Sequence, residues 1–276
     1  MPPPNKSLHS QMAKLIFASK AIPLPQQWAE PGSQFPDAFS AAERMAPPNP
    51  PTNLFREATL NKYHVDAASE IGKKFEAFLD GACGATCDGI GNWLTTATIA
   101  GVMINGPVGM LMPGNVIGPP LAPLILATAP QSTPQELKYS NAIASAFGTA
   151  WQAWHAGLTG VLMYPAFAAF PGPVAPPMPN IPMPLIAFAS PGEALLSPAA
   201  LKGAMTANLG DPAALHAMDL FDAVSQGFAP VFAIFKASTL VKNVLGMGPI
   251  PTFAPPFVPV GPVVGGIGTG PPGCIS

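Results

Sequence analysis

Cys83 and Cys87 stand one helical turn apart, a spacing that puts two soft ligands on one helix face and could supply half of a metal site. The other half is missing from the neighbourhood. Asp88 is adjacent but points elsewhere at helical spacing, and the nearest histidine in sequence, His64, lies far up the same helix. Small buried core residues are therefore the favoured reading of both cysteines. The four histidines, His9, His64, His155 and His216, are isolated, and none falls in an HxxxH or HExxH spacing. His155, beside Trp151 and Trp154, reads as a ring packed at a helix end. Asp219 and Asp222 are three apart with no acid–base partner in view, which is the pattern of a solvated helix face. No Gly-x-Ser-x-Gly elbow and no Gly-Lys-Ser or Gly-Lys-Thr occurs. Residues 268–273, Gly-Thr-Gly-Pro-Pro-Gly, match the letters of a dinucleotide fingerprint, but no helix follows to aim its N-terminus at a pyrophosphate. The expectation is a protein without catalytic residues, cofactor or metal, with Cys83 and Cys87 as weak candidates for the last.

Charge is the feature that constrains function most. Asp, Glu, Lys and Arg make up 9% of the 276 residues, against about a quarter in an ordinary soluble domain. They are absent from 89–135, from 139–192 and from 243–276, and most of them fall in the first ninety residues. A net charge of −2 gives no footprint for nucleic acid or for an acidic partner. Freely dispersed monomers keep charge on their surface. A chain that gives it up has that surface covered, by other subunits or by a membrane. Three cysteines are an odd number and too few for a disulfide scaffold. The first residues lack the apolar core of a secretory signal, so synthesis in the cytoplasm is expected.

Helical patches alternate with proline- and glycine-rich ribbons, which hold most of the 38 prolines and 27 glycines. Apolar spacing of three and four predicts a first helix over 65–97. A second opens at Thr133, with Pro134 at its first position and Glu136 completing a capping box. Ser197-Pro198 and Asp211-Pro212 repeat the start signal and predict helices over 198–208 and over 212–245, the latter interrupted at Pro230. Between them run ribbons carrying a shared Gly-Pro-Val idiom at 106–108, 172–174 and 261–263, with Asn105-Gly106 and Gly114-Asn115 as turn dipeptides. The uncharged stretch 93–129 exceeds the roughly 20 residues of a membrane span, yet Pro107, Pro113, Pro119, Pro120 and Pro123 interrupt it. The fold class expected is mainly α with long irregular proline-rich extended arms and a few short β segments. Its units are an N-terminal arm 1–60, a helical unit 61–160 with an inserted ribbon 101–130, a proline-rich ribbon 161–197, a helical unit 198–246 and a C-terminal arm 247–276. The break in the N-terminal arm is the proline cluster at 47–51.

Two sets of residues are the expected contacts with neighbours. Trp151, Trp154, Tyr164, Phe167 and Phe170 form the densest aromatic cluster. It lacks the flanking lysines and arginines of a membrane belt and needs nothing more to serve as a core or subunit contact. Phe253, Phe257, Val258 and Val260 are the bulky residues between prolines of the last ribbon, the anchors of an arm that docks on another subunit.

Residues 104–109, Ile-Asn-Gly-Pro-Val-Gly, and 261–270, Gly-Pro-Val-Val-Gly-Gly-Ile-Gly-Thr-Gly, resemble the Asn-Gly and Gly-rich turns of tip and baseplate proteins of contractile injection systems, phage tails and PAAR-like spike caps among them. The Pro-Ala-Ala-Arg tetrapeptide and a His/His/His/Cys metal set are absent, so only the class carries over. That resemblance implies a non-enzymatic, oligomeric part of a phage tail or injection machine, ending in a virion or injection particle. Its partners would be copies of itself and other subunits, with no nucleic acid. Two alternatives stay open: a membrane-active or pore-forming protein with re-entrant apolar segments, and an enzyme whose site the sequence does not reveal.

Overall fold

The computed structural model describes residues 3–20, 62–165, 167, 174–214, 216–251, 253–254, 258–259 and 262–276, with backbone alone at 62–69, 253–254 and 258–259. The chain begins with a helix where the sequence suggests an arm. α1 (Lys6–Ser19) is capped by Asn5, whose side chain accepts from the Leu8 amide at 3.0 Å. Ala13 and Phe17 are buried on its inner face. α2 (Lys62–Thr96) is the long helix that the apolar spacing predicts, and its glycines do not break it. After it come β1 (Thr98–Asn105), β2 (Val108–Leu111), β3 (Val116–Ile117) and α3 (Leu121–Leu126). The uncharged stretch 93–129 is thus divided among a helix end, three strands and a short helix. No helix within it is long and apolar enough to cross a membrane.

α4 (Pro134–Ala156) starts on the complete capping box: Thr133 Oγ1 accepts from the Glu136 amide and the Glu136 carboxylate accepts from the Thr133 amide, both at 3.1 Å. Then follow β4 (Gly160–Met163), β5 (Val174–Pro179), β6 (Met183–Pro184), two short 3₁₀ turns and α5 (Pro198–Leu209). α5 stops at Gly210 in the left-handed region, φ +60°. α6 (Ala217–Ser238) carries Pro230 inside it and ends earlier than the spacing predicts. The residues beyond it form β7 (Leu240–Val241), β8 (Leu245–Pro249), β9 (Phe253–Ala254), β10 (Val258–Pro259) and β11 (Gly266–Gly270).

Seven of these strands join in one antiparallel sheet of order β4-β2-β1-β11-β8-β5, with β3 sharing β1's outer edge beside β2. This overturns the mainly α expectation. The fold is mixed, α-helices with a large sheet, and its strands come from the ribbons at 101–130 and 161–197 and from the C-terminal segment. Each of the three charge-free stretches contributes: β1–β3 from the first, β4 and β5 from the second, β8 and β11 from the third. Proline density argued against strands, but the prolines sit where a missing donor costs nothing. β1, β2, β4 and β11 contain none, Pro249 ends β8, and Pro176, Pro177 and Pro179 lie in edge strand β5. The C-terminal segment is therefore no free arm. β11 lies between β1 and β8, and the last residues tie back through Leu240 N–H to Ser276 O and Ser276 N–H to Leu240 O, each 2.7 Å.

The described residues of the three Gly-Pro-Val idioms meet at one end of the sheet. Gly106 opens the two-residue loop between β1 and β2 at φ +61°, a value that position of a tight hairpin demands. Its amide donates to Val263 O at 2.7 Å, and Val174 pairs with Pro249 nearby in the ladder. Gly172, Pro173, Gly261 and the proline cluster 47–51 lie outside the described residues.

One contiguous core joins the buried sheet face to the helices. α1 packs against α2 and α6, and α4 packs against α5 and α3. At the α1–α6 crossing the backbones approach closely, since a Cβ on Gly227 would lie 2.9 Å from Ala13 N. Ion pairs hold this layer from outside: Lys14 with Asp80, Lys6 with Asp88, and Asp222 between Lys20 and Lys202.

Candidate interaction surface

The strands of the sheet alternate between a buried and a solvent face, and the two faces differ in kind. On the buried face stand Val102 and Ile104 of β1, Leu162 of β4, and glycines of β2, β8 and β11. Those glycines make room for one ring. Tyr164, just past β4, lies across three strands, and a Cβ at Gly109, Gly246 or Gly268 would come within 2.8, 2.7 or 3.0 Å of it. Burial pushes the Tyr164 phenol up to about 12. Phe167 stacks on Tyr164 at 5.6 Å.

On the solvent face the register aligns an apolar row across five strands. Val161 of β4 pairs with Met110 of β2, Met110 with Met103 of β1, Met103 with Ile267 of β11, and Ile267 with Met247 of β8. Met103 is 56% exposed, Met110 49% and Ile267 57%. Met112 and Met163 extend the row at the β2–β4 side, and Val174 extends it on β5, all exposed. None of the seven strands contains Asp, Glu, Lys or Arg. Thr98, Asn105 and Thr269 are the polar exceptions, and Asn105 Oδ1 already accepts from the Gly265 amide at 2.9 Å. Charged side chains among the described residues lie instead on the helices and in connecting segments, Lys242 between β7 and β8 among them. Because β2, β11 and β8 all close on the Tyr164 ring and Ile181, just past β5, donates to Met163 O of β4, the sheet curls and this row runs round its outer side. Exposed apolar surface of this kind is what a protein presents to a partner.

The aromatic residues expected to meet neighbours are divided by the fold. Trp151 and Trp154 are core residues, 0% and 2% exposed, packed edge to face on Phe232 and, for Trp151, on Trp93. An indole at that depth in its own chain has no surface left to offer another subunit. Tyr164 is equally buried, in the separate place described above, and Phe167 is half-buried against it. Phe170, Phe257 and Val260 lie outside the described residues. Phe253 and Val258 fall in the small β9–β10 ladder, which pairs Phe253 with Pro259 and Val258 with Ala254.

Cys83 and Cys87 are both buried and free. What the sequence does not reveal is that α1 brings His9 against them. The His9 Nε2–H donates to Val224 O at 2.9 Å, which leaves Nδ1 to accept from the Cys87 thiol at 3.7 Å. Burial lowers the His9 pKa to about 4 and pushes Cys87 up to about 12. Burial, with Cys87 beside it, also pushes Cys83 well up. A reactive cysteine needs the opposite, an exposed thiolate held by positive charge. This pair is neutral and sealed. Among the described residues no group of three or more His, Cys, Asp or Glu is placed to hold a metal.

His155 is likewise buried, which lowers its pKa, and its Nδ1 lies 3.2 Å from Val116 O. Asp219 is exposed beside His216, as the sequence suggests, but Asp222 is not a solvated residue. Burial pushes the Asp222 carboxyl up, and hydrogen bonds from Lys20, Gln226 and Lys202 more than offset it, holding the group at about 2. An open cleft of about 450 Å³ lies between α2, α4 and the start of α6, floored by Phe78, Tyr139 and Leu220 and rimmed by Glu136, Asp211 and His216. Asp211 is engaged by Lys138 at 2.7 Å, and no nucleophile–base hydrogen bond joins the described lining residues. No protein-family model matches the chain, and no curated protein or solved structure is significantly similar to it.

Proposed function

We propose that this protein is a non-enzymatic structural component of a larger assembly, docked through the solvent face of its sheet. The observation that carries the reading is the segregation of charge: among the described residues helices and connecting segments bear all of it, while seven strands bear none and expose an in-register apolar row. The resemblance of the 104–109 and 261–270 segments to turns of tip and baseplate proteins favours a phage tail or contractile injection machine as that assembly. The membrane-active alternative draws on α6, which is long and apolar enough to span a bilayer by length and composition. That helix spends its apolar surface inside the protein, with Phe221, Phe228 and Val231 buried. The enzyme alternative has no poised acid–base or nucleophilic pair behind it among the described residues.

Sedimentation of the native protein from its own cells tests the proposal. It should travel with large particles that survive mild detergent. Flotation with membranes, released only when detergent dissolves them, would overturn the reading in favour of the membrane-active one.

A further inference from the structure

We infer that α1 is an acid-released clasp: mild acid frees it from α2 and α6 while the rest of the fold stays closed. The device stands on how one imidazole is sealed, on how lightly α1 is held and on what lies beneath it.

His9 is fully buried where α1 meets α2 and α6. Its Nε2–H donates to Val224 O of α6, and its Nδ1 accepts from the Cys87 thiol of α2, which uses both ring nitrogens. The Phe228 ring of α6, 5.5 Å away, adds apolar cover. A proton added at Nδ1 meets the neutral Cys87 sulfur and the Cys83 backbone, and no carboxylate. The carboxylates of the two helices are taken elsewhere: Asp80 by Lys14 and Ser10, Asp88 by Lys6, and Asp222 by Lys20. A charged ring is therefore left without compensation for as long as α1 stays docked, and regains water when α1 leaves.

Little else holds the helix. Phe17 is its one large apolar side chain that is fully buried, and Ala13 and Ala18 add small contacts. The Lys6–Asp88 and Lys14–Asp80 pairs lie at partly exposed margins and hold weakly. Lys20, at the C-terminal end, stays tied to Asp222, whose carboxyl is held at about 2 by hydrogen bonds that outweigh its burial, so α1 opens from its N-terminal end. Residues 21–61 join it to α2, a connection long enough for α1 to move without dragging α2. Release bares Cys87 and the stretch of α6 around Gly227. A Cβ there would lie 2.9 Å from Ala13 N, so the emptied slot admits another helix backbone equally closely.

The direction follows from linkage. The docked ring protonates near 4 because burial opposes the charge, and the released ring near 6.5, so protons favour the released form. The equilibrium constant for opening should rise about twentyfold between pH 7 and pH 5.

The cysteines supply the probe. Cys87 lies under α1, whereas Cys274 is buried against Gly270 of β11. The full chain is treated with 4,4′-dithiodipyridine at pH 7 and pH 5, and labelling is located by peptide mass spectrometry. Each rate is divided by that of the same cysteine in concentrated urea at the same pH. Cys87 should label about twentyfold faster at pH 5 while Cys274 stays protected. His9→Gln should remove most of the rise. A Cys87 rate that does not change with pH, or a rise in Cys274 in step with it, would overturn the clasp, the latter by showing that the whole fold opens. A variant that keeps the full rise would overturn His9 as its origin. If the variant does not fold, wild-type hydrogen exchange decides. Amides of α1 should lose protection at pH 5 while those of α4 keep it, and equal loss in both helices would overturn the inference.

Discussion

His9 shows how one residue can report on the whole helical layer. Its partners are the neutral Cys87 thiol from α2 and, from α6, the Val224 carbonyl and the Phe228 ring at 5.5 Å. In the unfolded chain the imidazole protonates near 6.5, and in the folded one only near 4. Between those values the unfolded state binds the extra proton. Stability from this group is therefore complete above pH 6.5, falls as pH drops toward 4, and changes no further below, a loss on the order of 3 kcal/mol. Asp222 acts lower, its contribution present above the ordinary carboxyl value and lost as pH falls toward 2. Urea unfolding at pH 7, 5.5 and 4.5 should show the decline. His9→Gln should flatten most of it at a cost in stability at pH 7, leaving the smaller slope from buried His155. An unchanged slope in that variant would place the acid sensitivity elsewhere. Trp151→Ala should cost about 3–5 kcal/mol in stability. It should leave entry into native particles per folded molecule unaltered, because the indole faces only its own core. None of this was legible in the sequence for His9, since 74 or more residues separate it from the cysteines it meets, and nothing local marks the contact. Trp151 was legible as an apolar helix position, but the ambiguity between core and interface is one that spacing alone cannot resolve.

At the scale of elements, helices were readable because their signals are local. The capping box at Thr133, the proline at 198 and the left-handed Gly210 each mark a helix end within a few residues. The sheet was not readable, because its strands pair across long sequence separations and its pattern looks like low complexity. Yet a signal existed. Gly246-Met247-Gly248 and Gly266-Ile267-Gly268 alternate glycine with an apolar residue, which is a strand whose buried face must be bare so that Tyr164 can lie on it. β11 makes the sharpest prediction. An arm can be removed without harm to the rest, but a strand hydrogen-bonded on both edges cannot. Truncation after Gly248 deletes β11 from between β1 and β8 and strips Leu240 and Lys242 of their partners in 274–276. The shortened chain should lose its cooperative thermal transition and aggregate. A truncated protein that melts at the wild-type temperature would show that the sheet does not depend on its central strand.

At the scale of the molecule, the chain is two-faced, and that explains its composition. The sequence shows charge withdrawn from three long stretches, and the fold draws strands from all three into one sheet, while the helical layer carries its own ion pairs. The absence of charge is complete on the exposed side of those strands. Association through that side must be driven by apolar burial, which sets how it responds to conditions. Added sodium chloride screens charges over about 10 Å at 0.1 M and has little on the sheet face to act upon. The dissociation constant should therefore change less than about threefold between 0.05 and 0.5 M sodium chloride, tighten in sulfate, and carry a negative heat-capacity change in calorimetry. Substitutions on the helical layer, such as Lys138→Ala, should leave it unmoved, because Lys138 is held by Asp211 away from the strands. A dissociation constant that weakens steeply with sodium chloride would mean that the charged helical layer makes the contact, and the apolar row would then need a different role.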